Sequence, residues 1–354
     1  MPHPGRNLHI DNIKAVLIFL VVFGHIIELN IANDSATKSI WIFIYSFHMP
    51  MFALVSGILS KAVLTENQSS QMVRNIIVPL VAFEVLYECL EYFISGKTSN
   101  YFSLFAPYWL LWYLLSLLCW RLMLSVFSRM RFPLTIAITL ALILSYADNT
   151  GYYLSISRTL TFFPFFFLGW KLGTGFLATA DKRMMTLNAG VLMGALAIAF
   201  TAHSWDYRWL YGSYSLASLD MANPTGLAYQ LLLFVMSTVI GLSFINLITR
   251  RDIGIAAMGQ NSMFIYLWHG FAVIALSKSG LLDDIFRLNS ALSMGIIALI
   301  TFAIMIVASH SWCIFLTRKC ILDPLASLFL KRADTERTAA PVQPMKTQLT
   351  PPSS

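Results

Sequence analysis

Asp11, Lys14, His25 and Glu28 lie three, eleven and three positions apart in the first long apolar stretch of the chain. At 3.6 residues per turn these spacings put all four on one helical face, with Lys14 and His25 three turns, about 16 Å, apart along the axis. An ionisable group at the centre of a membrane span costs about 2.5–3.5 kcal/mol on insertion scales, so such a file needs a reason. The layout suits a reaction that runs part-way across a bilayer. A phosphate-bearing donor held by Lys14 at one mouth can send a long arm toward His25. His25 can then act as general base on a hydroxyl, and Glu28, one turn on, can orient the ring or tune it. The same residues also fit a plainer arrangement, in which Lys14 snorkels to the interface and His25 makes an interhelical hydrogen bond.

Further polar groups sit in the apolar stretches that follow. His48, in Phe47-His48-Met49-Pro50-Met51-Phe52, is a second intramembrane imidazole. Pro50 kinks its helix or frees a carbonyl, and Ser56-Gly57 permits close helix approach. Glu84, Glu88 and Glu91 are spaced i, i+4, i+7 and form one acidic stripe. Three ionised carboxylates cannot face lipid, so this face looks into the bundle or a wet cavity. Proton relay, acceptor binding and helix pairing are all open to it. The run from Phe162 to Trp170 reads as packing, with Pro164 and Gly169 marking a bend. Ser262 and His269 are seven apart and share a face, which makes a second polar file for the same cavity. The connection over about 204–225 carries Trp205, Tyr207, Trp209, Tyr211 and Tyr214, as an interfacial belt or as part of a sugar-binding surface.

The elements that must position these groups are membrane helices. Of 354 residues, 57% are hydrophobic and only 12% charged, with a mean hydropathy of +0.69. Soluble proteins carry about 25% charged residues, so a soluble domain is excluded, and so is disorder anywhere but the C-terminus. Many similar runs follow the first, which speaks against a cleaved leader. Windows of about 20 mostly apolar residues occur near 12–29, 39–60, 75–95, 107–127, 133–148, 159–177, 185–203, 226–248, 255–277 and 291–316. The expected fold is therefore all-α and polytopic, with about ten transmembrane helices. With the N-terminus inside, eighteen of the 24 lysines and arginines fall on the cytoplasmic side and six on the other. That asymmetry puts both termini in the cytoplasm. The net charge of +7 is then a matter of topology, and nucleic acid is not an expected partner. Cys89, Cys119, Cys313 and Cys320 form no C-x-x-C pair, so neither a disulfide framework nor a zinc site is expected. Residues 1–332 form the membrane domain, and 333–354, rich in Thr, Gln and Pro, read as a disordered cytoplasmic tail.

Taken together, the motifs resemble those of the acyltransferase 3 family of integral-membrane acyltransferases, most closely its fucose O-acetylase-like branch. The matching blocks run in order from Ile10-Asp11-Asn12-Ile13-Lys14 to Val22-Phe23-Gly24-His25, through Phe47 to Gly57 and Arg74 to Pro79. They continue with Trp109-Leu110-Leu111-Trp112-Tyr113-Leu114, Phe163 to Gly169, and Gly259 to His269. The resemblance implies acyl transfer, usually of acetyl, from cytosolic acetyl-CoA to a hydroxyl of a surface or exported glycan. The basic residue eleven positions before the first-helix histidine is the family's central motif, so Lys14 and His25 inherit donor-binding and catalytic roles. Many members have Arg in place of Lys14 and a denser basic cluster before the third helix than Arg74 with Lys61.

The expected site therefore has His25, Glu28 and His48 in catalysis, Lys14 and Arg74 on the donor, and Glu84, Glu88, Arg158 and His269 on the acceptor or a proton relay. Acetyl-CoA is the expected donor, with no metal. The expected acceptor is a glycan or lipid-linked sugar, and the expected location is the bacterial inner membrane. An alternative from another class is a proton-coupled transporter or flippase using the acidic stripe with His25. A third is a sensor or assembly subunit whose polar groups only fix helix pairing.

Overall fold

The computed structural model describes residues 7–103, 106–147, 153–177 and 182–330, so the expected tail over 333–354 lies outside the described residues. Among the described residues there are helices and their connections and no strand. The principal helices are α1 (Leu8–Glu28), α2 (Ser35–Tyr45), α3 (His48–Ile58), α4 (Val78–Ser95), α5 (Trp112–Phe127) and α6 (Pro133–Leu144). They are followed by α7 (Ile156–Leu172), α8 (Lys182–Thr201), α9 (Pro224–Leu247), α10 (Ala256–Gln260), α11 (Ser262–Lys278) and α12 (Ser290–Ser309).

Short polar residues start four of these helices by accepting from otherwise unpaired amides. The Asn7 side chain accepts from the amides of His9 and Ile10, Asp34 from Thr37, Asn223 from Gly226 and Asn289 from Leu292. Pro224 adds a residue preset for the first turn of α9. Ser290 also donates to Asp34 at 3.3 Å, which ties the start of α12 to the start of α2.

Among the described residues six spans are long and apolar enough to cross a membrane: Leu8–Glu28, the two-part Ser35–Ile58, Trp109–Phe127, Arg183–Thr201, Pro224–Leu247 and Ser290–Ser309. Each of the ten windows read from the sequence holds a helix or a broken helix pair. The four outside the six are α6 and α11, which are apolar but shorter, α7 at 17 residues, and α4, which carries the three glutamates. Among the spans α1 is the central one, 72% of its apolar window being buried against 11% for Arg183–Thr201. A helix so enclosed can carry polar groups, because neighbouring helices take the place of lipid.

Two close approaches fix the frame. A Cβ on Gly57 would overlap the carbonyl of Phe166, and one on Gly169 would overlap that of Leu54. The backbones of α3 and α7 therefore touch through reciprocal glycines, a packing mode membrane helices use where no hydrophobic force draws them together. Helix α7 continues through Pro164 to Leu172, and Gly169 lies in this contact. Near the start of α1 a Cβ on Gly259 would overlap the carbonyl of Asp11, which clamps α10 on α1.

Candidate functional site

The last turn of α1 delivers His25 and Glu28. Nδ1 of His25 lies 3.3 Å from Oε2 of Glu28, and the same oxygen accepts from the Tyr45 hydroxyl at 2.7 Å. Tyr211 donates to the other oxygen, Oε1. A carboxylate only accepts, so Nδ1 of His25 is the protonated nitrogen, and its Nε2 has no hydrogen-bond partner among the described residues. The two side chains are 17% and 22% exposed, which leaves them reachable from the cleft they line.

The break between α2 and α3 at Ser46 and Phe47 sets the next pair. Tyr45 ends one helix and His48 begins the other, with ring centroids 4.5 Å apart and edge-on. His48 is buried and its Nδ1 donates to the Ile44 carbonyl at 2.9 Å. His269, on α11, stacks on His25 with centroids 5.5 Å apart, and its Nδ1 donates to the Tyr266 carbonyl at 2.7 Å. Its Nε2 is buried with no hydrogen-bond partner among the described residues, an uncommon state for an imidazole.

Trp109 meets His25 edge-on at 5.0 Å, on a backbone with φ of +30° that a non-glycine residue rarely adopts. The acidic stripe holds it there. Both oxygens of Glu84 accept from the Tyr108 amide at 3.0 Å, and the Tyr108 hydroxyl donates to Glu91 at 2.9 Å. Glu88 accepts from the amide and hydroxyl of Ser99. Glu84 therefore anchors Tyr108, next to Trp109, and Glu88 anchors Ser99, and neither glutamate lines the cleft.

Arg158 is buried beside the cleft. Its Nε donates to the Tyr211 carbonyl at 3.2 Å, and its guanidinium lies 5.2 Å over the Trp112 ring. Ser157 donates to the Gly212 carbonyl at 2.9 Å, so the start of α7 fixes the turn that presents Tyr211. Trp41 backs the same group, stacked on Tyr45 at 3.7 Å and edge-on to Tyr211 at 5.4 Å. Burial, with the charge of Glu28 beside it, pushes the Tyr211 hydroxyl far above its ordinary range, so it remains a donor. The resulting cleft, of about 60 Å³, is lined by His25, Glu28, Tyr45, His48, Trp109 and Arg158 among others.

At the other end of α1, Lys14 is half-buried. Asn12 donates to the carbonyls of Thr249 and Arg251 at 2.9 Å each, and Gln260 donates to Asp11 at 3.2 Å. These bonds bring the Arg250-Arg251 connection to the Lys14 end of the helix. Arg74 pairs with Asp323 at 2.8 Å.

Of the residues singled out from the sequence, the structure brings His25, Glu28, His48 and Arg158 into one cleft, with His269 stacked on its histidine. Lys14 is at the far end of the same helix, and Arg74, Glu84 and Glu88 are elsewhere. Tyr45 and Trp109, which the sequence reading did not single out, complete the cleft. Tyr211, read only as part of an aromatic connection, is the third.

The acyltransferase domain model matches residues 7–310 of the chain. Two curated proteins called "Nodulation protein NolL" are similar to it. The one from Sinorhizobium fredii is 29% identical over 129 residues, 32% of this chain and 35% of that protein. The one from Mesorhizobium japonicum is 27% identical over 183 residues, 47% of each. The chain thus spans between about a third and a half of the length of these relatives. No solved structure matches. With the family model extending from the N-cap of α1 to the end of α12, this helical membrane protein belongs to the acyltransferase 3 family.

Proposed function

We propose that the protein is an O-acetyltransferase of the bacterial inner membrane that moves acetyl from cytosolic acetyl-CoA to a hydroxyl of a surface or exported glycan. The observation that carries this reading is the His25–Glu28 pair. An imidazole whose Nδ1–H is held by a doubly tyrosine-bonded carboxylate presents its Nε2 lone pair to an open cleft. The acceptor hydroxyl loses its proton to this Nε2 as its oxygen attacks the thioester carbonyl. The carbon–sulfur bond then breaks, and the CoA thiolate takes the proton back from the imidazolium. Glu28 holds the ring in the tautomer that does this and stabilises its transient charge. Lys14, three turns along the helix and near Arg250 and Arg251, receives the anionic end of the donor.

The proposed topology has ten crossings, the six long spans together with α4, α6, α7 and α11. Both termini are cytoplasmic, on the side that collects most of the lysines and arginines. The acidic stripe that a proton-coupled transporter would use is engaged with the 99–108 connection, which favours transfer over transport. The test is to give membranes labelled acetyl-CoA and follow the glycan fraction. Label should enter it with the wild-type protein and not with His25→Ala. Full acetylation by His25→Ala at normal expression overturns the assignment.

A further inference from the structure

We propose that a furrow between α2, α8 and α9 holds the hydrocarbon chain of a lipid-anchored acceptor, so that the sugar reaching His25 is presented on a membrane lipid. The inference rests on the acyltransferase reading of the cleft and adds the class of acceptor. The furrow has a volume of about 200 Å³ and an almost wholly apolar wall, including Ile42, Phe43, Leu232 and Ile240. It is also lined by Ala195, Ile198 and Ala199 of α8 and by Ala202 just past its end. That i, i+3, i+4, i+7 stripe has alanine at three of four positions, so no side chain of α8 fills the gap. The floor is buried at Ile42, Ala199 and Ile240, while Ile198 and Leu232 at its rim are 57% and 50% exposed. It therefore opens sideways, between membrane-crossing helices, into the region that lipid chains occupy.

What distinguishes this furrow from an ordinary lipid-facing groove is where its inner end leads. A second, small cavity of about 30 Å³ shares Ser46, Leu210, Leu233 and Ser237 with the furrow. It also shares Tyr45, Phe162 and Leu210 with the cleft of His25. Polarity changes along the way. The apolar furrow narrows to a neck where Ser237 donates to the Ser46 carbonyl at 2.5 Å and where Thr161 and Gln230 join the wall. Beyond it lie Glu28, His25 and Arg158. An amphiphile with a long chain and a sugar head meets the same sequence of environments, with its chain left in apolar surroundings while its hydroxyls reach the base.

The experiment uses native membranes containing the full chain and labelled acetyl-CoA, with the products divided between organic-extractable lipid and aqueous glycan. Ala195→Phe and Ala202→Phe each place a ring in the furrow from a half-buried position at its wall. Binding of CoA to each variant reports that the fold and donor site are intact. The expected result is label in the lipid fraction, released from it as acetylated sugar, and a loss of at least about tenfold in each variant that still binds CoA. Lipid labelling at the wild-type rate in both variants overturns the proposal and leaves the furrow to bulk lipid. Label in aqueous glycan alone also overturns it, while the acyltransferase reading stands. Absence of label from both fractions overturns that reading and this inference together.

Discussion

Tyr211 reaches across 183 positions of sequence to donate its hydroxyl to Glu28, whose other oxygen is held by Tyr45 and His25. The carboxylate is thus secured by three groups on separate elements, and the orientation of His25 depends on all of them. Tyr211→Phe removes one donor without changing the shape of the ring. A hydrogen bond to a charged group is worth about 1.5–3 kcal/mol, so transfer should fall roughly ten- to a hundredfold. Tyr45→Phe should act on the same carboxylate, and the double variant should show a combined loss that departs from the sum of the two. Acetyl transfer in membranes measures both, and strictly additive effects would show that the two tyrosines do not share Glu28.

Lys14 and Arg74 carry positive charge in different settings, and their variants separate donor binding from packing. Lys14→Ala should raise the KM for acetyl-CoA with little change in kcat, and Lys14→Arg should restore it. The Arg74–Asp323 pair is partly exposed, at 21% and 48%, and such pairs contribute about 0–1 kcal/mol. If Arg74 only fixes this contact, Arg74→Ala and Asp323→Ala should behave alike. A rise in donor KM for Arg74→Ala alone would give Arg74 a direct role in binding.

Glu84 acts at a distance from the cleft, through the Tyr108 amide and the turn into Trp109. Glu84→Ala should release that turn. Amide exchange over 106–109 should then quicken, and transfer should fall about tenfold as Trp109 leaves His25, an effect in the range of one charge-assisted bond. Glu84→Gln, which keeps one accepting oxygen, should recover part of both. Quickened exchange with an unchanged transfer rate would mean that Trp109 does not support the histidine.

The α3–α7 contact predicts a stability effect separate from catalysis. Gly169→Ala sets a methyl group against the Leu54 carbonyl, and forced separation of packed elements costs about 1–3 kcal/mol. The variant should unfold at a lower temperature in detergent, while Gly96→Ala, where a Cβ meets nothing, should lose stability only through its backbone φ of +71°. Equal melting of Gly169→Ala and wild type would contradict the reported contact.

The parts of this arrangement that obey a period were readable from the sequence. The file from Lys14 to Glu28 follows the helical repeat, and each apolar window holds a helix. The glutamate stripe was readable as a stripe, but its partners were not. Those are backbone and side-chain groups of Ser99 and Tyr108 in an irregular connection, where no repeat announces which amide faces which carboxylate. Tyr211 escaped for the same reason. It lies in a short helical turn, Tyr207–Tyr211, and only the three-dimensional path of the chain brings it to Glu28. Gly57 announced a close approach through its neighbour Ser56, whereas Gly169 was read within an aromatic run as a bend.

The shared hold on Glu28 also sets an order on biosynthesis. Tyr45 follows Glu28 by only 17 positions and is available almost as soon as the first span is made. Tyr211 is not, because the chain must be extended through α3 to α8 and beyond before that hydroxyl exists. During that interval the earliest helix carries a half-satisfied acid through the insertion machinery, and a ribosome stalled short of Tyr211 leaves it so. His25 consequently gains its final alignment only after Tyr211 has been translated, which ties the geometry of the cleft to completion of the later helices.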